Sequence, residues 1–107
     1  MQILDLCDMV SLKRGVENED RALRIVQDHL EPGYTVRKGT YEEDQRGFDL
    51  LIVSSKGEIL PIQVKSSYAG KREFEAKSYV PVLVVNPWST DNKIVHFVTK
   101  FKEKFFC

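Results

Sequence analysis

Apolar positions change their period twice along this chain. From about Glu17 to Leu30, the residues Ala22, Leu23, Val26 and Leu30 fall on one stripe of a 3.6-residue repeat, which predicts a helix. Asn18 is a candidate cap, Glu19 and Asp20 suit the positive end of the helix dipole, and Pro32-Gly33 ends the run. Residues 2–12 carry Ile3, Leu4, Leu6, Met9, Val10 and Leu12, which predicts a separate short helix docked on the core or on a partner. After Gly33 the pattern turns extended, with strands predicted over 34–37, 48–53, 58–65, 81–86 and 94–98. Pro61 inside the third strand marks either a bulge or a position that donates nothing to the ladder. The stretch from Arg72 to Tyr79 alternates like a strand, but a parallel pairing of strands three and four needs a crossover, so it is assigned as a short helix. Residues 100–106, with Phe101, Phe105 and Phe106, predict a terminal helix. The sum is an α/β fold with a mixed central sheet flanked by helices.

Size narrows this to one domain over 1–107, with its core between about 15 and 98, because 107 residues at 42% hydrophobic fill one modest core. The longest apolar run, Val82-Leu83-Val84-Val85, is far short of the roughly 20 residues that cross a bilayer, and Asp5 and Asp8 interrupt any export signal. Cys7 and Cys107 make no disulfide framework. The expectation is a soluble, cytoplasmic protein with no membrane partner. Charge is balanced at 16 basic against 16 acidic residues, so there is no net bias toward nucleic acid. Local fields still matter, and basic residues recur at Arg37, Lys38, Arg46, Lys65, Lys71 and Arg72.

The chemistry gathers around one hairpin. Ser55-Lys56-Gly57 is a three-residue connection ending in glycine, which favours residue 54 opposite residue 58. Counting outward from that pair sets Asp49 opposite Gln63, with Cβ atoms roughly 5 Å apart on one face. Lys65, two residues on, shares that face. Glu19 lies three, four and seven residues before Ala22, Leu23 and Val26, so it sits on the helix stripe that faces the sheet. Two carboxylates and an amide oxygen suit a hard cation such as Mg²⁺, and a lysine beside them can orient water or stabilise phosphoryl charge.

Gly15-x-x-x-Glu19, Gly47-Phe48-Asp49 and Ile62-Gln63-Val64-Lys65-Ser66 together resemble the PD-(D/E)XK nuclease superfamily over roughly residues 15–97. The resemblance implies a restriction-endonuclease-like core of a helix, a three-stranded meander, a helix and a further strand. It implies that Asp49, Gln63, the Val64 carbonyl and Glu19 hold Mg²⁺, with Mn²⁺ as a substitute, and that Lys65 serves the nucleophile. Gln63 stands where the family more often has Glu, as in branches that resemble Mrr-like restriction enzymes, and Phe48 stands where many members have Pro. The implied activity is hydrolysis of DNA phosphodiesters, with structure-specific cleavage as one form of it, by a homodimer resembling Holliday-junction resolvases.

Each residue also has a plainer reading. Asp49 could pair with Arg46, Lys65 could be an edge lysine, and Glu19 could be an N-terminal helix acid, with Glu17 and Asp20 competing for its role. His29 and His96 lack a second ligand at zinc spacing, and Trp88 reads first as a packed loop residue. Three other functions stay open at this point: a nucleic-acid-binding or regulatory module of the same fold, an RNA-directed nuclease, and an interaction domain.

Overall fold

The computed structural model describes the backbone of residues 6–106 and the side chains of residues 15–106. Helix α1 runs from Leu6 to His29 without interruption. The two helices expected over residues 2–12 and 17–30 are thus one, apart from residues 1–5, which lie outside the described residues. No proline breaks the segment, and Gly15 alone costs a helix only about 1 kcal/mol. Asn18 therefore lies inside the helix and does not cap it.

Four strands follow: β1 (Tyr34–Lys38), β2 (Leu50–Ser54), β3 (Ile59–Lys65) and β4 (Val82–Val84). They form one sheet in the order β1-β2-β3-β4, antiparallel at the first two pairings and parallel at the last. The architecture is α/β, a four-stranded mixed sheet with helices packed against it. The β2–β3 register places Leu50 on Ile62 and Val53 on Ile59, with Ser54 N–H donating to the Glu58 carbonyl at 2.9 Å. Gly57 takes φ +83° to close the turn, as the loop length predicted. Pro61 forms no bulge, since it pairs in register with Leu51. Gln63, two residues on, donates its N–H across to Pro81. By strand alternation Pro61 faces the same way, where β4 has not yet begun, so its missing N–H removes no ladder bond.

Three further helices complete the chain: α2 (Tyr41–Gln45), α3 (Tyr68–Glu75) and α4 (Asp91–Phe105). Helix α3 is the crossover between the parallel strands. It starts four residues before the expected Arg72 because Ser67 caps it, its hydroxyl accepting from Gly70 N–H at 3.0 Å. The expected strand over 94–98 is instead part of α4. Ile94, Val98 and Phe101 recur at helical spacing, and Thr90 caps the first turn through Lys93 N–H. A short β-branched run had masked that longer period. The terminal helix expected over 100–106 is the end of this same element.

The core lies between one sheet face and the helices α1 and α4. Ala22, Ile25 and Val26 meet Leu50, Ile52, Leu60, Ile62 and Val64 there, and Ile94 and Val98 close the layer. Phe101 and Phe106 pack against the same cluster, leaving Phe105 as the exposed member of the three tail phenylalanines. Among the described residues, no helix is long and apolar enough to cross a membrane.

Candidate functional site

Because even-numbered residues of β2 and β3 fill the core, the odd-numbered ones face away from it. At the end of the hairpin remote from the turn this brings Asp49, Gln63 and Lys65 to a cavity of about 630 Å³, which Glu19 and Asp44 also line. Asp49 is 5% exposed and Gln63 is 8% exposed, so both polar groups are nearly lost to water. The β2–β3 pairing ends at Leu50 on Ile62, and Asp49 N–H donates to the carbonyl of that same Ile62 at 3.0 Å, so Asp49 steps out of the register rather than pairing opposite Gln63 as the loop count predicted. One carboxylate oxygen of Asp49 accepts from Val64 N–H at 2.7 Å, which fixes the side chain along the edge of β3. The Val64 carbonyl points the same way as its N–H, toward Asp49.

Glu19 reaches the site from α1. Its carboxylate and those of Asp44 and Asp49 offer oxygens all within 4.8 Å of one another. Burial pushes the Asp49 carboxyl up to about 7, helped by the hydrogen bond it shares with Asp44 and by the negative charges of Glu19 and Asp44, against the opposing pull of Val64 N–H. Glu19 is likewise raised, first by burial and then by Asp44, while Lys38 counters part of this. Lys38 itself pairs with Asp20. Three acids thus converge where like charges disfavour their joint ionisation.

The Gln63 side-chain oxygen is the buried polar atom without a hydrogen-bond partner among the described residues. An unsatisfied buried acceptor costs about 1–3 kcal/mol. Its roof is built closely: a Cβ on Gly47 would come within 3.1 Å of that oxygen and 2.7 Å of the Phe74 ring. Lys65 is half-buried on the same wall, its ammonium 5.4 Å from the centre of the Phe74 ring. Three carboxylates and an orphaned amide oxygen around one cavity fit the donor set of a hard divalent cation.

Asp44 escaped the sequence reading. It is delivered by α2, which buries no residue and so leaves no hydrophobic period to find. The available signal was the capping box Thr40-x-x-Glu43, in which the Thr40 hydroxyl accepts from Glu43 N–H while Glu43 accepts from Thr40 N–H at 2.9 Å. Arg37 on β1 grips both oxygens of the same Glu43, at 2.7 and 3.0 Å, and this hydrogen bonding holds the Glu43 carboxyl down at about 2. Gly39 lets the loop pass: a Cβ there would lie 2.0 Å from the Phe48 carbonyl oxygen. Asp49 does not pair with Arg46, and Glu17 and Asp20 stand outside the acidic group, Asp20 being engaged with Lys38. No family model matches the chain, and neither the curated proteins nor the solved structures offer a match.

Proposed function

We propose that this chain is a metal-dependent nuclease that hydrolyses DNA phosphodiesters, built on a PD-(D/E)XK-like core. The observation that carries the reading is the meeting of Glu19, Asp44 and Asp49 with the unpartnered Gln63 oxygen and Lys65 around one cavity. The order of elements supports it: a helix, an antiparallel meander, a crossover helix and a parallel strand agree with what the resemblance implies.

On this reading Glu19, Asp44, Asp49 and Gln63 hold Mg²⁺, with the Val64 carbonyl as a further donor. A divalent cation held there would supply Lewis acidity toward water and toward a phosphoryl oxygen. The protein's own part is to keep those donors fixed, which the Val64–Asp49 bond and the capped α2 accomplish. Lys65 stands beside the acids without belonging to them, so its charge is free to orient the attacking water or to balance charge growing on the phosphate. Asp44 supplies a negative charge that Gln63, standing where an acid is more usual, does not.

The test is cleavage of plasmid, single-stranded, branched DNA and RNA with Mg²⁺, Mn²⁺ or chelator, by wild type and Lys65→Ala. Metal-dependent cleavage of DNA that Lys65→Ala lacks supports the reading. Cleavage confined to RNA selects the RNA-directed alternative. Equal activity in both proteins sinks the enzymatic reading. The neutral Gln63 is the observation that favours the other reading, a nucleic-acid-binding module, and binding without cleavage under every metal would select it. A homodimer also belongs to the proposal. The exposed Phe105 and Tyr79 border an apolar groove with Phe48, Leu60 and Pro81 that offers it a contact. Sedimentation of wild type against Phe105→Ser tests this, and a wild type that is monomeric at tens of micromolar refutes it.

A further inference from the structure

Beside the acidic site, and sharing Glu19, Val64 and Lys65 with it, lies a second cavity of about 700 Å³. Glu17, Asn18, Ser66 and Asn86 give it polar walls, and Trp88 stands at its rim with 86% of its surface exposed. A large aromatic ring so open to water gains nothing from the core.

The loop that carries it is nonetheless tightly held. Arg21, two residues beyond Glu19 on α1, donates to the Asn86 carbonyl at 3.0 Å and to the Ser89 carbonyl, and pairs with Asp91 at 3.2 Å. The Asn86 side chain donates to the Ser66 carbonyl at 3.2 Å and accepts from Trp88 N–H at 3.0 Å. Asn86 N–H in turn donates to the Ser89 hydroxyl at 3.0 Å. The backbone under the ring is therefore tied to α1, to the end of β3 and to α4, while the ring is left out. Binding to a ring presented this way costs little ordering.

The opposite flank repeats the theme. A cavity of about 480 Å³ that Glu19, Asp44 and Asp49 share with Gly15 is edged by Tyr41, 79% exposed. The acids thus sit between two exposed rings. Trp88 has Glu17, Asn18, Ser66 and Asn86 around its cavity, and Tyr41 has Lys38, Thr40 and Asp44 beside the exposed Val16, unlike the contiguous apolar groove at Phe48, Tyr79 and Phe105, which has the character of a protein contact. A flat ring with polar neighbours and a lysine nearby suits a nucleobase, whose faces are apolar and whose edges and phosphate are polar.

We infer that Trp88 is a stacking platform for an unpaired nucleobase next to the phosphate held at the acidic site, with Tyr41 a second platform on the other flank. The inference rests on the nuclease reading for the nature of the ligand and deepens it. The substrate class is single-stranded or locally unpaired nucleic acid, because a fully stacked duplex offers no base face to a side chain.

Trp88 is the chain's one tryptophan, so its emission reports on this ring alone. The Lys65→Ala chain with Mg²⁺ keeps the strand intact while oligodeoxyuridylate, oligouridylate and a blunt duplex of equal length are titrated in. Stacking quenches the emission with a single strand at concentrations where the duplex leaves it unchanged, and the two homopolymers tell deoxyribose from ribose. In an otherwise wild-type chain, Trp88→Ala should bind a single strand about tenfold or more weakly, while Trp88→Phe keeps most of the affinity. A strand that binds without changing the emission, or Trp88→Ala matching wild type on every substrate, overturns the platform and leaves the nuclease reading untouched. Quenching by a strand that wild type never cleaves under any metal keeps the platform and removes the nuclease. Neither binding nor cleavage removes both.

Discussion

The two ends of the β2–β3 hairpin are built to opposite standards. At the turn, Ser54 accepts through its hydroxyl from Lys56 and Glu58 N–H, its carbonyl accepts from Gly57 N–H at 3.0 Å, and the residues that follow are exposed. Every demand there is local and met. At the far end an acid and an amide are buried, the acid is held near 7, and the amide oxygen has no partner among the described residues. The same two strands carry both, so the difference does not come from backbone quality. It comes from what each end is left to satisfy: the turn closes on itself, whereas the open end keeps a buried amide oxygen that no described residue satisfies.

Lys65→Ala is expected to separate the two ends most sharply. On the proposed function, cleavage should fall by about a hundredfold or more, with thermal stability and metal binding close to wild type, since the fold contact at stake is the ammonium's approach to the Phe74 ring. Circular dichroism melts beside a cleavage assay check this, and a large loss of stability would show that Lys65 is structural.

Metal affinity comes next. Gln63→Glu adds a charge at nearly constant shape and should tighten Mn²⁺ binding about tenfold once desolvation offsets part of the Coulomb gain. Asp44→Asn and Gln63→Ala should each weaken it, and Asp49→Ala should remove it. Calorimetric titration without nucleic acid distinguishes them. If the Gln63 variants bind like wild type, the orphaned oxygen has another purpose.

The open end should also set the pH dependence of stability. Asp49 titrates near 7 in the fold against 3.8 in the free chain, so its favourable contribution is complete below about 4 and is lost as pH rises through 7. Glu19, also raised, acts in the same sense. Without divalent ions, Tm should therefore drop by on the order of 5–10 °C between pH 5 and pH 8. Asp49→Asn should flatten this slope, and Mg²⁺ should reverse it at pH 8 if the acids bind it. A wild-type Tm that rises over the same interval contradicts the burial of an ionising carboxylate.

The smallest effect belongs to the turn. Gly57→Ala places a side chain at φ +83° and should cost about 1 kcal/mol, leaving Mn²⁺ affinity unchanged. A loss of metal affinity in this variant would mean that the two ends are not independent.

What the sequence made legible follows the same division. Gly57 announced the turn and the turn announced the register from Val53–Ile59 to Leu50–Ile62, beyond which Asp49, Gln63 and Lys65 line one cavity. Glu19 was legible because it keeps the phase of Ala22 and Val26. Asp44 was not, since α2 buries nothing and its place depends on a glycine passage and an arginine grip from another strand. The strand expected at Ile94–Val98 failed for a related reason. Five residues rich in Ile and Val satisfy either geometry, and only Phe101 and the Thr90 cap beyond that window choose the helix. Trp88 could be seen as a ring in a loop, but its exposure depends on Arg21, which is 67 positions away and invisible to any local pattern.

The connection Ser55-Lys56-Gly57 also acts as a ruler. It lies roughly 20 Å of strand from Gln63, yet it decides the parity of every residue on β3. Losing or gaining one residue there, with pairing to β2 renewed, turns Ile62 and Val64 outward and sends Gln63 and Lys65 into the apolar layer. A change of two residues restores the faces and merely slides the ladder, trading Asp49's neighbour for another. Tolerance to insertions in this exposed loop should thus alternate between odd and even lengths, although the loop itself touches none of the residues at stake.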